Sequence, residues 1–261
     1  MTVVAQVEVA PRLVASGQRF YVSMAGACLT VAVLGFAPTY FIPMVRGTLN
    51  VSPITHLHGL LFFGWTGLFL AQAWLAGERK FTRHRELGVI GVSLATGMCF
   101  VGLGAAIATL KRFEPTPMAD AARAFAIVPV TGIVFFVVLV ATALLKVRQS
   151  ETHKRLLLVA TISLLNAAVG RWFAVLLPTS DGLPVTVPIP PPPVVISLLP
   201  ALVADLLIVA AMIHDRRTRG TVHRVYWIAG GALVALQFLR VPLSATRLWS
   251  RAAESLVALS P

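Results

Sequence analysis

Apolar residues recur in seven long runs along the chain, and short polar connections separate the runs. An α-helix rises about 1.5 Å per residue, so about 20 residues cross the ~30 Å hydrocarbon core of a bilayer. The pattern predicts an all-α integral membrane protein, built as a bundle of seven transmembrane helices. The expected spans are 21–42, 54–76, 87–109, 124–145, 156–177, 194–213 and 225–246.

The segments outside these spans are short, which predicts a single membrane domain over 21–246. Residues 1–20 lack the basic-then-apolar order of a signal peptide, and we expect them to lie at the membrane interface as a tail. Residues 247–261 form a short C-terminal tail. The longest connection, 178–193, ends in four consecutive prolines, which cannot donate backbone hydrogen bonds and therefore predict an extended strap.

Most of the 22 Lys and Arg residues lie in the N-terminal tail and in the connections after the second, fourth and sixth spans. Basic residues are retained on the cytoplasmic side of a membrane. We therefore expect a cytoplasmic N-terminus and an external C-terminus in a bacterial-type inner membrane.

Charged residues make up 12% of the chain, against about a quarter in soluble proteins. The net charge of +12 would favour nucleic-acid binding in a soluble domain, but here the basic residues lie between membrane spans. We expect membrane lipids as their partners and no nucleic acid. The two cysteines, Cys28 and Cys99, fall inside apolar runs and form no zinc or disulfide pattern.

The second span opens with SPITHLHGLLFFGWTGLFLAQAWL, residues 52–75, and places two histidines near its outer end. Ser52 is a suitable N-cap and Pro53 suits the first helical position. His56 and His58 are then about 200° apart around the helix and cannot chelate one ion together. His58 shares its face with Trp65 and other polar residues, so we expect His58 to face the bundle and His56 to lie nearer the interface.

Five further polar residues fall within the later spans: Asn166, Arg171, Asp205, Gln237 and Arg240. Polar groups at membrane depth are costly and are candidates for function. Their positions predict a single site in the outer half, where two arginines and one aspartate leave a positive excess suited to an anionic group.

Structural roles are alternatives for these five residues. Arg171 and Asp205 could form an ion pair that holds the fifth and sixth spans together. Asn166 and Gln237 could form interhelical hydrogen bonds, and Arg240 could extend to the outer surface.

The three inner connections repeat one pattern, TRHRELGVIG from Thr82, THKRLLLVAT from Thr152 and TVHRVYWIAGG from Thr221. Helix N-termini of this kind can bind lipid phosphate or an anionic ligand. The favoured interpretation is simpler, that these basic side chains anchor helix ends at the headgroups.

The order of these motifs resembles that of uncharacterised multi-pass inner-membrane proteins of bacteria. The order is HLH early in the second span, Gln72 late in it, HR, HKR with a later arginine, and VHR before the last span. The chain is also loosely similar to b-type membrane cytochromes, a similarity that implies haem held by histidines. Such a haem needs two inward histidines at one depth. His58 has no such partner in the outer half, whereas His84, His153, His214 and His223 lie at loop level on the inner side.

The sequence lacks the residue patterns that several known classes of membrane protein and enzyme require. The seventh span has no lysine for a retinal Schiff base, and the chain has no Glu-x-x-His pair on facing helices, no nucleophile elbow and no P-loop. The sequence does not decide whether the protein is an enzyme.

Three functions remain. The leading hypothesis is an outer-half pocket for a cofactor or an anionic hydrophobic ligand, such as haem or a quinone, with electron transfer as one use. There His58 is the hydrogen-bond partner or metal ligand, Arg171 and Arg240 neutralise acidic groups, and Asp205 orients an arginine. The alternatives are a small-solute transporter that uses Asp205 as its coupling carboxylate, and an accessory subunit that binds other membrane subunits or a second copy.

Overall fold

The computed structural model describes residues 4–176 and 191–258, with side chains from residue 19 onward except that of residue 176. The described chain is helical and contains no β-strand. Seven of its segments are long and apolar enough to cross a membrane, which confirms the predicted all-α seven-helix bundle. Named here as spans 1 to 7, they are Arg19–Val45, Pro53–Gly77, Phe81–Phe113, Ala119–Leu145, Ser150–Val175, Val194–Arg219 and Tyr226–Ser244.

Several spans are built from more than one helix. The α-helices are Val4–Phe36, Ile42–Val45, Pro53–Gly77, Phe81–Phe113, Ala119–Phe125, Ile127–Leu145, Ser150–Ser163, Asn166–Leu176, Leu198–Arg219, Gly231–Ser244 and Arg247–Ala258. Two π-helical segments, Ala37–Phe41 and Tyr226–Gly230, and one 3₁₀ turn, Val194–Ser197, complete the set.

The ends of the chain extend the bundle as helices. The first helix begins at Val4, so the backbone of the predicted tail continues into span 1, and its place at the interface stays a prediction. The last helix, Arg247–Ala258, packs on the outer ends of spans 3 and 4. There the indole of Trp249 donates to the carbonyl of Arg123 over 2.7 Å. Most of the predicted proline strap lies outside the described residues.

Spans 1 to 5 form a closed ring in which each packs on the next and span 5 returns to span 1. Spans 6 and 7 pack on the outside of this ring, against spans 4 and 5. Trp65 is buried within the ring, where its indole donates to the hydroxyl of Thr161 over 3.1 Å and meets the ring of Phe136 edge-on. A hydrogen bond between spans satisfies polar groups that lipid cannot. "Inner end" denotes the end at Gly77, and "outer end" the end at Pro53.

Spans 1, 4, 5, 6 and 7 each consist of more than one helical segment, whereas the apolar pattern predicts uninterrupted helices. Span 1 contains the π segment Ala37–Phe41, where Pro38 has no N–H to donate, and span 7 begins with the π segment Tyr226–Gly230. Span 5 breaks at Leu164 and Leu165, whose N–H groups bond three residues back instead of four. Irregularities of this kind redirect side chains and are frequent at functional sites.

Spans 1 and 5 are in close contact at Gly35. A Cβ atom at this position would lie 2.5 Å from the carbonyl oxygen of Ala168 and 2.6 Å from its Cβ. Only a residue without a side chain allows the two backbones this contact, which is how small residues promote helix association in membranes.

Replacing Gly35 with valine should push spans 1 and 5 apart and lower the free energy of unfolding by about 1–3 kcal/mol, the usual cost of overpacking. The measurement is unfolding of the purified protein in a denaturing detergent. Gly26→Val is the control, because nothing lies within 4 Å of a Cβ built at Gly26. Equal stability of the two variants would contradict the close contact.

Candidate functional site

His56 and His58 take different environments at the outer end of span 2. His56 is exposed, and its Nδ1 is hydrogen-bonded to the hydroxyl of Tyr40 over 2.7 Å. His58 is partly buried, with its ring stacked on Phe62 at 4.1 Å between centroids. The Nδ1 atom of His58 is buried without a hydrogen-bond partner among the described residues. The structure thus turns His58 inward and leaves one of its ring nitrogens available.

Arg171 reaches the same region from the outer half of span 5. Its Nε donates to the hydroxyl of Thr39 over 3.0 Å, and its Nη1 donates to the carbonyl of Ala167 over 2.7 Å. The guanidinium lies 3.9 Å from the centroid of the Phe36 ring, a cation–π contact. Thr39 belongs to the π segment of span 1, so this irregularity places the buried hydroxyl that holds Arg171.

Phe36 links Arg171 to span 2, because its ring lies under the Arg171 guanidinium and meets the ring of Phe63 edge-on at 5.5 Å between centroids. The charge of Arg171 also acts on the imidazole of His58. The outer site, as named here, consists of Phe36, Thr39, His58, Phe62 and Arg171. It combines two aromatic faces, one fixed positive charge and one free imidazole nitrogen, all below the outer end of the bundle.

A second polar group lies between spans 4, 6 and 7. Asp205, Gln237 and Arg240 are all less than a tenth exposed. The Nε atom of Arg240 donates to the hydroxyl of Thr131 over 2.7 Å, and its charge acts on the carboxylate of Asp205. Both carboxylate oxygens of Asp205 and Oε1 of Gln237 are buried without a hydrogen-bond partner among the described residues. The Asp205 group, as named here, therefore holds three buried acceptors that receive no hydrogen bond of normal geometry, although the side chains of Gln237 and Arg240 lie near enough to act on the Asp205 carboxylate.

The structure separates side chains that the sequence places in one region. No ion pair joins Arg171 and Asp205 in the described chain, so the proposed structural pair is wrong. Asp205 faces an arginine, but that arginine is Arg240, because span 6 packs on span 7 at this depth. Extension of Arg240 to the surface is also wrong, since its side chain is buried and held by Thr131.

Two other predicted residues lie apart from both groups. Asn166 is the first residue of the outer helix of span 5, directly after the break. Trp65 lies in the ring and is bonded to Thr161. Neither has a described contact that assigns it to a ligand.

The most extensive polar network lies at the inner end, where the sequence suggests only anchoring. Arg155 is 1% exposed and donates two hydrogen bonds to the Asp215 carboxylate, Nε to Oδ2 at 3.0 Å and Nη2 to Oδ1 at 2.5 Å. It also donates to the carboxylate of Glu151, which in turn accepts from Lys154 and Arg219.

Two tyrosines complete this network, as the hydroxyls of Tyr21 and Tyr226 lie 3.2 Å apart beside Arg155. Anchoring at headgroups is therefore the wrong interpretation for Arg155, because its side chain is buried in an ion pair with Asp215. The signal in the sequence was Asp215 itself, an acidic residue at the end of an apolar span.

The inner-end histidines also make defined contacts. Nδ1 of His84 bonds the carbonyl of Gln72 over 3.3 Å, and Nδ1 of His153 bonds that of Ala143 over 2.8 Å. His214 stacks on Phe20 at 3.7 Å. His223 accepts the N–H of Val225 at its Nδ1, and burial together with the charge of Arg155 lowers the pKa of His223, which keeps the ring neutral.

The described residues contain no cluster of three or more His, Cys, Asp or Glu side chains that would hold a metal ion.

Comparisons of the chain with protein-family models, with curated proteins and with solved structures find no significant match. The similarity to bacterial inner-membrane proteins and b-type cytochromes therefore stays a prediction. A proposal about function has to rest on the geometry of the described residues.

Replacing Asp215 with alanine should remove the buried carboxylate of Arg155 and leave the partly exposed Glu151 as its acidic partner, which should lower the free energy of unfolding by about 3 kcal/mol. The double variant Arg155→Met/Asp215→Leu should lose much less, because it leaves no unpaired charge. Asp120→Asn breaks an ion pair with Arg123 whose acidic partner is 96% exposed, and it serves as the control. If Asp215→Ala were as stable as the Asp120→Asn control, the ion pair between Arg155 and Asp215 would not stabilise the fold.

Proposed function

We propose that the protein binds a hydrophobic ligand carrying carbonyl or acidic groups, of the quinone class, at the outer site. The observation that carries the proposal is the buried Nδ1 of His58, which has no hydrogen-bond partner in the described chain and is within the field of the Arg171 charge. A buried polar atom without a partner costs free energy, so a site that keeps one is suited to a ligand that completes its hydrogen bond.

The chemistry of the outer site favours a quinone over haem. A quinone carbonyl accepts hydrogen bonds, and a neutral imidazole can donate one. Arg171 adds a fixed positive charge, which stabilises partial or full negative charge on a ligand oxygen in an apolar region. Haem iron in b-type proteins uses imidazoles as axial ligands, but only His58 is turned inward here, since His56 is exposed and bonded to Tyr40.

The aromatic side chains support a flat apolar ligand. Phe62 stacks on His58, and Phe36 lies under the Arg171 guanidinium. Ligand sites commonly combine such apolar walls with a few placed polar groups.

Arg171→Leu and His58→Leu should each weaken binding of a short-chain ubiquinone by about 10- to 100-fold, the equivalent of one hydrogen bond to a charged or buried group. Quenching of tryptophan fluorescence in detergent measures this affinity, and Trp172 lies next to Arg171 in the chain. The matched control is His56→Leu, which should bind as the unaltered protein does. Full affinity in both site variants would overturn the assignment.

A second candidate function rests on the Asp205 group. Its two carboxylate oxygens accept no hydrogen bond of normal geometry in the described chain, although Gln237 and Arg240 act on them, so a proton or a small cation would satisfy them. This supports the alternative in which Asp205 is the coupling carboxylate of a small-solute transporter.

For this candidate, proteoliposomes under a potassium diffusion potential should take up protons, followed with an enclosed pH-sensitive dye. Asp205→Asn should abolish the proton flux, because an amide does not bind and release a proton as a carboxylate does. Asp120→Asn should leave the flux intact. Flux no greater than that of empty liposomes would dismiss transport of protons by this route.

A further inference from the structure

The outer site is formed by residues of spans 1, 2 and 5, below the outer end of the ring. A hydrophobic ligand collects in the bilayer, so it reaches such a site by passing between two neighbouring spans. Three seams border the site, those between spans 1 and 2, between spans 2 and 3, and between spans 1 and 5. Their packing differs, and the difference indicates which of them can open.

Two of these seams are packed too closely to admit a ligand. Between spans 1 and 5, a Cβ atom at Gly35 would lie 2.5 Å from the carbonyl oxygen of Ala168, so the two backbones are in contact. Between spans 2 and 3, a Cβ atom at Gly104 would lie 3.1 Å from the side chain of Ile54. Both contacts lie in the outer half of the bundle, and opening either seam requires movement of a whole helix.

The seam between spans 1 and 2 is covered by aromatic rings instead. The ring of Tyr40 lies over Gly59, where a Cβ atom would be 3.9 Å from Cζ and from the hydroxyl oxygen of the tyrosine. Phe41 meets Tyr40 edge-on at 5.4 Å between centroids and packs on Phe63 at 5.0 Å. A ring turns aside by rotation about its side-chain bonds, and Gly59 has no side chain of its own. This seam can therefore open without separation of the two helices.

One hydrogen bond holds the ring of Tyr40 over the seam. The tyrosine hydroxyl is bonded to Nδ1 of His56 over 2.7 Å, and the side chain of His56 is exposed at the surface of the bundle. His56 precedes His58 by two residues on the same helix, so the bond lies beside the outer site but on another face of span 2. Of the two histidines, one faces the site and the other holds the ring that covers the seam.

The backbone that carries Tyr40 is irregular. Tyr40 and Thr39 both belong to the π segment Ala37–Phe41, and such segments are frequent at functional sites. Thr39 is buried and holds Arg171 in the outer site, whereas Tyr40 is bonded to the exposed His56. The same short segment thus holds the arginine of the site and the ring that covers its seam.

Resting on the function proposed for the outer site, we infer that its ligand enters from the bilayer between spans 1 and 2. Tyr40 is the gate of this entrance, and its hydrogen bond to His56 holds the gate shut. Both residues lie outside the outer site. Loosening the gate therefore changes how fast the ligand enters and leaves by the same factor, and the dissociation constant stays as it is.

The test is stopped-flow quenching of tryptophan fluorescence by a short-chain ubiquinone in the purified full-length protein, which gives the association and dissociation rate constants. Tyr40→Phe keeps the ring and removes the hydroxyl, so both rate constants should rise by about 2- to 10-fold, the factor for one ordinary hydrogen bond. His56→Leu removes the same bond and should give the same increase. The variant Tyr40→Phe/His56→Leu should be no faster than either single variant, because all three lose one bond.

Matched variants separate the gate from general effects of substitution. Tyr226→Phe is the control for the lost hydroxyl, because this hydroxyl is also hydrogen-bonded, to Tyr21 over 3.2 Å, but at the inner end. Gly59→Ala should slow both rates by about 2- to 4-fold, the effect of one buried methyl group, because its Cβ would touch the Tyr40 ring. Gly67→Ala is its control, since nothing lies within 4 Å of a Cβ built there.

Two results would overturn the gate and leave the proposed function standing. The first is an unchanged pair of rate constants in Tyr40→Phe. The second is a change in the dissociation rate alone, which would make Tyr40 a contact of the bound ligand. Absence of any quenching in the unaltered protein would instead dismiss quinone binding at the outer site, and the gate with it.

Discussion

Hydrocarbon cannot form hydrogen bonds, and this constraint governs the placement of every polar group in the bundle. Backbone groups are satisfied by helices, and the side chains of Trp65, Thr131 and Thr39 are satisfied across helix interfaces. Against that background, the atoms that remain unsatisfied stand out. His58 Nδ1, Gln72 Oε1 and the Asp205 carboxylate are buried without partners in the described chain, and they mark three different places in the bundle.

The interruptions of the helices follow from the same constraint. A π segment or a break releases backbone groups, which is tolerated in a membrane only where other groups of the protein take them up. In span 5 the hydroxyl of Ser163 donates to the carbonyl of Ala160 next to the break, and the following N–H groups shorten their bonds by one residue. The π segment of span 1 supplies Thr39 to Arg171, and that of span 7 supplies Tyr226 to the inner network.

The number of spans and the inward face of His58 could be predicted from the sequence, because length and periodicity are properties of one helix at a time. The grouping of polar residues could not, because it depends on which helices become neighbours. Asp205 and Arg171 lie on consecutive spans, yet the charge that acts on Asp205 is that of Arg240, because span 7 packs beside span 6. Arg155 follows the same motif as Arg85, but only Arg155 finds a carboxylate, Asp215, some 60 residues later in the chain. The polar residues that become neighbours are therefore determined by the packing of the helices, which a local sequence pattern does not reveal.

The ion pair between Arg155 and Asp215 has a consequence for how the chain is assembled. Spans 1 to 5 complete their ring with residues that are all synthesised before span 6, and at that stage Arg155 has only Glu151 as an acidic partner. Asp215 arrives at the end of span 6, and the backbone of His223 and the hydroxyl of Tyr226 then close around it and Arg155. Docking of the last two spans thereby adds a second, buried carboxylate to an arginine that the first five spans pair only with Glu151. Without Asp215, the buried guanidinium of Arg155 would be left with the partly exposed Glu151 as its acidic partner.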